Sequence, residues 1–283
     1  MMQLLGFGHS INSDLPIPGS LTWDAGGRDR APPLSITLAP EQHCAVDTIY
    51  RRANDALLFT PPGVGQFWCR PDRIDVVPDP DGDREMLTAL LIATALPATQ
   101  WMRGHFMLHG SALVLPDRTG AIAVSGVSGS GKSTVAAALL ARQASLVADD
   151  SLRIVNDGGS WRAAGLPGGL FVTDAGPTRR RFEPIAIDRA VAETRLDAIF
   201  VLGKRDISPT IQRLDGTDAI KLLLAMQHRP RIPACWGLRA EVLKLAAGIA
   251  RSLPVFLWQR RNGGIALEQT EWDMLQRSCG DEG

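Results

Sequence analysis

Between residues 120 and 154 the chain reads GAIAVSGVSGSGKSTVAAALLARQASLVADDSLRI, and this stretch constrains the fold more than any other. Residues 121–125 are a short apolar run bounded by glycines, the pattern of a strand covered on both faces. Gly126, Val127, Ser128, Gly129, Ser130, Gly131, Lys132 and Ser133 then satisfy the phosphate-loop pattern G-x-x-x-x-G-K-[ST]. The glycines permit the backbone angles that turn successive N–H groups inward around phosphate oxygens. Residues 134–142, beginning at Thr134, favour a helix whose positive N-terminal end would face those oxygens. Residues 126–134 are therefore the expected nucleotide-binding set. Lys132 is placed for the β- and γ-phosphates, and the Ser133 hydroxyl for magnesium. The full pattern in its required strand-to-helix context outweighs a chance glycine-rich turn.

Downstream, residues 146–148 form a short buried-strand signal that delivers Asp149 and Asp150 at its carboxyl edge. In open α/β sheets ligands sit beyond the carboxyl ends of the strands, on the same side as the phosphate loop. Adjacent strand residues point to opposite faces. One acid could then hold magnesium while its neighbour orients or deprotonates an acceptor. Adjacent aspartates are also ordinary turn residues after a strand.

Composition narrows the class of partner. Thirty lysines and arginines balance thirty aspartates and glutamates, so no overall field draws in nucleic acid or an anionic membrane. Cys44, Cys69, Cys235 and Cys279 are scattered without C-x-x-C or metal-ligand spacing, which suits reduced thiols in a cytoplasmic protein better than a disulfide pair. No basic start and apolar core mark a secretory signal at the N-terminus. The apolar stretch 86–102 is interrupted by Pro97 and is too short and mixed to span a bilayer.

Before the loop, short apolar runs at 4–8, 34–38, 57–60 and 74–77 alternate with proline and glycine clusters. They predict a β-rich N-terminal domain over 1–99, closed by a helix over 83–99 with Asp83 as its N-cap. Gly6-Phe7-Gly8 and Gly63-Val64-Gly65 lack the third glycine and helix of a nucleotide fingerprint and read as turns; Phe67-Trp68 reads as packing. Residues 106–115 predict a strand that turns through 117–120 and lies against the loop strand as an antiparallel hairpin or as a neighbour. His109, alone in that apolar strand, reads from the residues as a satisfied core histidine. Beyond the loop, a turn at 156–160, a strand at 196–202, helices at 217–227 and 239–252, a strand at 254–258 and a frayed tail from Gln276 are expected. Arg179, Arg180 and Arg181 need neutralising, by solvent and acids or by phosphate and an acidic substrate. The fold class is α/β, with a phosphate-loop domain over 100–283.

Three motifs in order resemble one family: His109-Gly110, GVSGSGKS at 126–133, and LVADD at 146–150. Together they resemble the catalytic core of the HPr kinase/phosphorylase family, a serine kinase built on a phosphate loop and unrelated to eukaryotic protein kinases. The resemblance covers residues 105–155 and, more loosely, those up to 202. It implies ATP and Mg2+ as cofactors, Asp149 as the base that activates an acceptor hydroxyl, Asp150 as a magnesium ligand, and His109 beside the transferring phosphate. Lys132 and Ser133 keep the roles derived above. The family's glutamate–arginine–glycine signature is absent, because Gly165-Leu-Pro-Gly-Gly-Leu-Phe171 has neither glutamate nor arginine ahead of its glycines. That departure argues against reverse phosphorolysis and against HPr as substrate. SDLPIPGS, around Ile17, resembles the start of HPr-kinase-like proteins found with peptide-biosynthesis clusters, among them lasso-peptide kinases that phosphorylate a serine at the C-terminal end of a precursor.

The expected function is transfer of phosphate from ATP to a seryl or threonyl hydroxyl on a peptide or protein. A small-molecule kinase and a nucleotide-gated binding module are the alternatives. Oligomeric state is open, a homo-oligomer included.

Overall fold

Short apolar runs separated by proline and glycine can bury their side chains only by pairing into a sheet, and the first third of the chain does so. The computed structural model describes residues 1–23, 32–40, 49–173, 180–262 and 267–280, with the side chains at 171–181 outside the description. Eight strands make the first sheet: β1 (Met2–Gly6), β2 (His9–Ser13), β3 (Leu21–Thr22), β4 (Leu34–Leu38), β5 (Tyr50–Ala53), β6 (Ala56–Phe59), β7 (Gly65–Cys69) and β8 (Arg73–Pro78). Their order is β3-β1-β2-β4-β8-β7-β6-β5. Phe7 and Gly8, with φ of 52° and 73°, form the tight turn between β1 and β2 that glycine there anticipates. Phe67 is fully buried and stacks on Phe59, as a packing role requires.

Asp83 caps the following helix. Its Oδ1 accepts from the N–H groups of Glu85 (2.9 Å) and Met86 (3.0 Å). The helix is longer and less regular than expected: α1 (Arg84–Leu90) passes through a π-turn at Leu91–Ala95 into α2 (Leu96–Met102). Pro97 explains the irregularity, since it has no N–H to offer the Ala93 carbonyl four residues earlier. That carbonyl instead accepts from His228 Nε2 (2.8 Å) and Arg229 Nε (3.1 Å).

The second sheet contains β9 (Phe106–Val114), β10 (Ala121–Gly126), β11 (Ser145–Ala148), β12 (Ser151–Asp157), β13 (Ser160–Ala164), β16 (Glu193–Leu202), β17 (Thr210–Leu214) and β18 (Val255–Gln259). A separate hairpin joins β14 (Gly169–Thr173) to β15 (Arg180–Pro184). The expected β9–β10 hairpin is present, antiparallel, with Ala121 opposite Val114 and Ser125 opposite Gly110. β10 and β18 both pair parallel with β16. The pairings β9–β10, β10–β16, β16–β13, β13–β12 and β12–β9 form a closed circuit. The fold is mixed α/β with a β-rich N-terminal sheet.

Helices α3 (Lys132–Ala141), α4 (Gly216–Ala225), α5 (Arg231–Trp236), α6 (Arg239–Ser252) and α7 (Gln269–Gly280) complete the elements. Strand alternation divides the core. Ile122, Val124 and Phe200 meet Val135 and Leu139 of α3, whereas Ala121, Ala123, Ile199 and Val201 face a cluster that also holds Phe7, Leu91 and Trp101. The tail differs from expectation. It stays helical to Gly280, because Leu275 is buried and Arg118 Nη1 donates to the Cys279 carbonyl (2.7 Å), satisfying a helix end. Cys69, Cys235 and Cys279 are free thiols, and Cys44 lies outside the described residues. Among the described residues no helix is long and apolar enough to cross a membrane.

His9, on β2, links β1 to α2 and is 1 % exposed. Its Nδ1 lies 3.1 Å from the Gly6 carbonyl, and Gln100 Nε2 donates to its Nε2 (3.1 Å). Burial, then the charges of Arg103 and Arg153, lower its pKa to about 3. The unfolded chain takes this proton near pH 6.5, whereas the folded chain refuses it until about pH 3. His9 therefore contributes stability that is complete above pH 6.5 and is lost as pH falls toward 3. Urea denaturation at pH 7.5 and pH 4.5 should show a fall of roughly 2–3 kcal/mol from this residue. The dependence should be shallower in His9→Gln, with His105 and His228, whose pKa values burial also lowers, carrying the remainder.

Candidate functional site

β10 delivers the chain to Gly126, at φ 152°, where a Cβ would lie 2.6 Å from Ser130 Oγ and 3.2 Å from the Leu202 carbonyl, so a larger residue would displace the Ser130 hydroxyl. Gly131, at φ 98°, then starts α3 without any side-chain cap, leaving the helix N-terminus to backbone N–H groups. Val127, Ser128, Gly129, Ser133 and Thr134 are exposed. Lys132 Nζ donates to the carbonyls of Gly126 (2.8 Å) and Val127 (3.1 Å), which holds its ammonium over the loop. Ser130 Oγ is buried with no hydrogen-bond partner among the described residues. An uncapped helix start, an ammonium and an unmatched hydroxyl in one turn fit an oxyanion, and phosphate oxygens supply the acceptors this turn lacks.

Sheet register brings other candidates to the root of the loop. Ser125 pairs with Gly110, and its Oγ donates to the His109 carbonyl (2.7 Å). His109 in turn pairs with Ser151, and Gly110 N–H donates to the Asp150 carbonyl (3.2 Å). The loop root, His109 and the aspartates therefore share one row of β9. His109 Nδ1 lies 3.1 Å from the Asp150 carbonyl and 3.7 Å from Asp150 Oδ1. Its side chain is 26 % exposed, so it is not a sealed core residue.

The aspartates directly follow the carboxyl end of β11, as the sequence predicts, and β12 begins directly after them. β11 and β12 both pair with β9, and the acids occupy the break between them. Asp150 has φ 64°, so the strand alternation expected to send the two carboxylates to opposite faces does not operate. Asp149 is 7 % exposed, and Ser111 Oγ donates to its Oδ1 (2.7 Å).

Two segments singled out in the sequence meet here. A Cβ on Gly165 would lie 2.4 Å from Ala148 Cβ and 3.0 Å from the Ser151 carbonyl, so the 165–168 turn packs on the residues flanking the acids. Gly168 N–H donates to the Gly19 carbonyl (2.8 Å), docking the SDLPIPGS segment on that turn. Arg179 lies outside the described residues. Arg180 and Arg181 pair with Thr173 and Val172 in a hairpin whose side chains there are not described.

Sequence reading missed three residues. His228 is 3 % exposed, and its ring centroid lies 5.6 Å from that of His109. Burial, chiefly, lowers its pKa to about 4, against the opposing influence of Asp150 and the Ala93 carbonyl. Arg205 and Arg260 flank the loop: a Cβ on Gly131 would lie 3.5 Å from Arg205 Nη2 and 3.7 Å from Arg260 Nη1. Arg260 is fixed by Glu271 through Nε–Oε1 and Nη2–Oε2, each 3.2 Å, with both residues at most 2 % exposed. Glu271 also accepts from the N–H groups of Arg261 and Glu268. No local motif marks His228 or Arg260, because each reaches the site only through tertiary packing.

No family model matches the chain, and no curated protein matches it. Among solved structures it is similar to one described as the Hpr(Ser) kinase/phosphatase from Coxiella burnetii. Identity is 14 %, the TM-score 0.38, and the alignment covers 61 % of this chain and 89 % of that one.

Glu271→Ala would strand the Arg260 charge in the interior. Breaking one side of a buried pair costs about 3–5 kcal/mol, so chemical denaturation should show a loss of that order. Wild-type stability in the variant would mean that solvent already reaches Arg260.

Proposed function

We propose that this chain transfers the γ-phosphoryl group of ATP to a seryl or threonyl hydroxyl on a peptide or protein. The observation that carries the reading is the shared row on β9, which sets His109 and the Asp149–Asp150 pair beside the root of a phosphate-type loop. Residues 1–99 contribute the surface that docks on the 165–168 turn, and residues 100–283 carry the loop.

In this reading the loop amides and the Ser130 hydroxyl cradle the β- and γ-phosphates, with Lys132 neutralising them. Magnesium would be held by Ser133 and Asp150, and it supplies further charge neutralisation on the phosphate oxygens. Asp149 takes the acceptor's hydroxyl proton while the acceptor oxygen bonds to the γ-phosphorus. The bond from that phosphorus to the β,γ-bridging oxygen breaks, and ADP leaves. The Ser111 hydroxyl orients the Asp149 carboxylate by occupying Oδ1. Arg205 and Arg260 add positive charge where the leaving diphosphate gains negative charge.

The acceptor to test first is a serine near the C-terminal end of a lasso-type precursor peptide. Two features support it: the SDLPIPGS resemblance and the docking of that segment on the turn beside the acids.

Incubation with ATP, Mg2+ and such a peptide, read by mass spectrometry, should add one phosphate to the peptide. Hydrolysis without any acceptor would favour the nucleotide-gated module instead. Asp149→Asn should bind ATP normally yet lose roughly 100- to 10,000-fold in transfer rate. Lys132→Ala should also weaken nucleotide binding, by about tenfold or more. Equal loss of binding in both variants would remove Asp149 as the base.

A further inference from the structure

His109, Asp150 and His228 each offer one ligand atom, and the three atoms lie within 4.8 Å of one another. We propose that they form a divalent-cation site of two imidazole nitrogens and one carboxylate oxygen, suited to zinc or cobalt, whose ion competes for the Asp150 carboxylate with the magnesium that accompanies a nucleotide. It goes beyond the phosphoryl-transfer reading and needs no nucleotide.

The proximity of the three groups and the hydrogen bonds around the His228 ring carry the argument. A metal-binding histidine donates one ring N–H to a carbonyl or carboxylate and presents the lone pair of its other nitrogen. His228 Nε2 lies 2.8 Å from the Ala93 carbonyl, an acceptor that exists because Pro97 cannot complete the helical bond to it. His109 Nδ1 lies 3.1 Å from the Asp150 carbonyl. His228 therefore keeps its proton against a backbone oxygen and its lone pair on Nδ1, whereas His109 turns Nδ1 toward both the carbonyl and Oδ1 of Asp150 (3.7 Å) and gives up its contact with that carbonyl to ligate an ion. Ser151 Oγ, 3.2 Å from His228 Nε2, adds a second polar contact that holds the ring.

Charge and backbone agree with this assignment. Two neutral imidazoles and one carboxylate leave a net negative site, and Asp150 adopts a left-handed backbone that a packing role does not require. Imidazole donors favour borderline metals over magnesium, which takes oxygen ligands. Donors about 2.1 Å from a shared ion stand about 3–4 Å apart, so closing the cluster takes a shift of about 1 Å. His109, at 26 % exposed, is the least enclosed of the three. Three protein ligands leave at least one coordination position open to water or a substrate oxygen.

The test uses the full chain, stripped with chelator and titrated with Co2+ alone, without nucleotide. Visible d–d absorption and calorimetry should report one Co2+ per chain, displaceable by Zn2+. His109→Ala and His228→Gln should each weaken Co2+ binding tenfold or more, while Asp218→Ala, at an exposed carboxylate, should not. Circular dichroism establishes that each variant is folded; the partly exposed His109 keeps the test valid should His228→Gln unfold. No bound Co2+, or equal affinity in the wild type and His109→Ala, overturns the site. Absence of peptide phosphorylation with Co2+ binding intact would sink the kinase reading and leave this one standing.

Discussion

Strand β9 is the constraint on which the rest depends. It pairs with β10 along one edge and with β11 and then β12 along another, so three separate stretches of sequence are held in one register. Backbone hydrogen bonds along a buried strand cannot slip by one residue without moving every side chain to the other face. With β10 and β16 buried on both sides, a slip there would exchange their side chains between the two core clusters, driving Ile122, Val124 and Phe200 into space shaped for Ala121 and Ala123. The spacing of Gly126, His109 and Asp150 is thus fixed by core packing rather than by contacts within the site itself.

A second dependence runs through the N-terminal third. Pro97 withholds one N–H from its helix, and the carbonyl left over reaches His228 and Arg229 at the far end of the chain. Trp101 Nε1 donates to the His228 carbonyl (2.9 Å), and His228 N–H donates to the Met107 carbonyl (2.9 Å). The histidine is held at its ring and at its backbone by three different segments. An irregularity in one helix is used to set the ring orientation of a residue outside it.

Around the phosphate-type loop, charge is held rigidly. Lys132 rests on the loop carbonyls, and Arg260 is fixed by a carboxylate whose oxygens are also engaged by two backbone N–H groups. Satisfying both carboxylate oxygens offsets part of the desolvation cost that makes interior ion pairs weak, while Arg260 Nη1 is buried without a hydrogen bond among the described residues. The pair also keeps a guanidinium beside Gly131 without the entropy loss of ordering a mobile side chain.

Local chemistry determined much of this molecule from sequence alone. The loop over 126–133 was legible because its conformation depends on glycines and a lysine within one turn. The Asp83 cap, the β9–β10 hairpin and helix α6 were legible because short-range hydrogen bonding and periodicity dictate them. Three features were decided only by the tertiary structure. Asp149 and Asp150 follow the carboxyl end of β11 as expected, but the return of the chain onto β9 through β12 directly after them was not legible. The tail beyond Gln276 is helical because Arg118 and a buried Leu275 hold it. His228 and Arg260 stand at the site because sheet and helix packing carry them there. A contact between residues far apart in the chain leaves no periodicity behind, so only the folded core could reveal it.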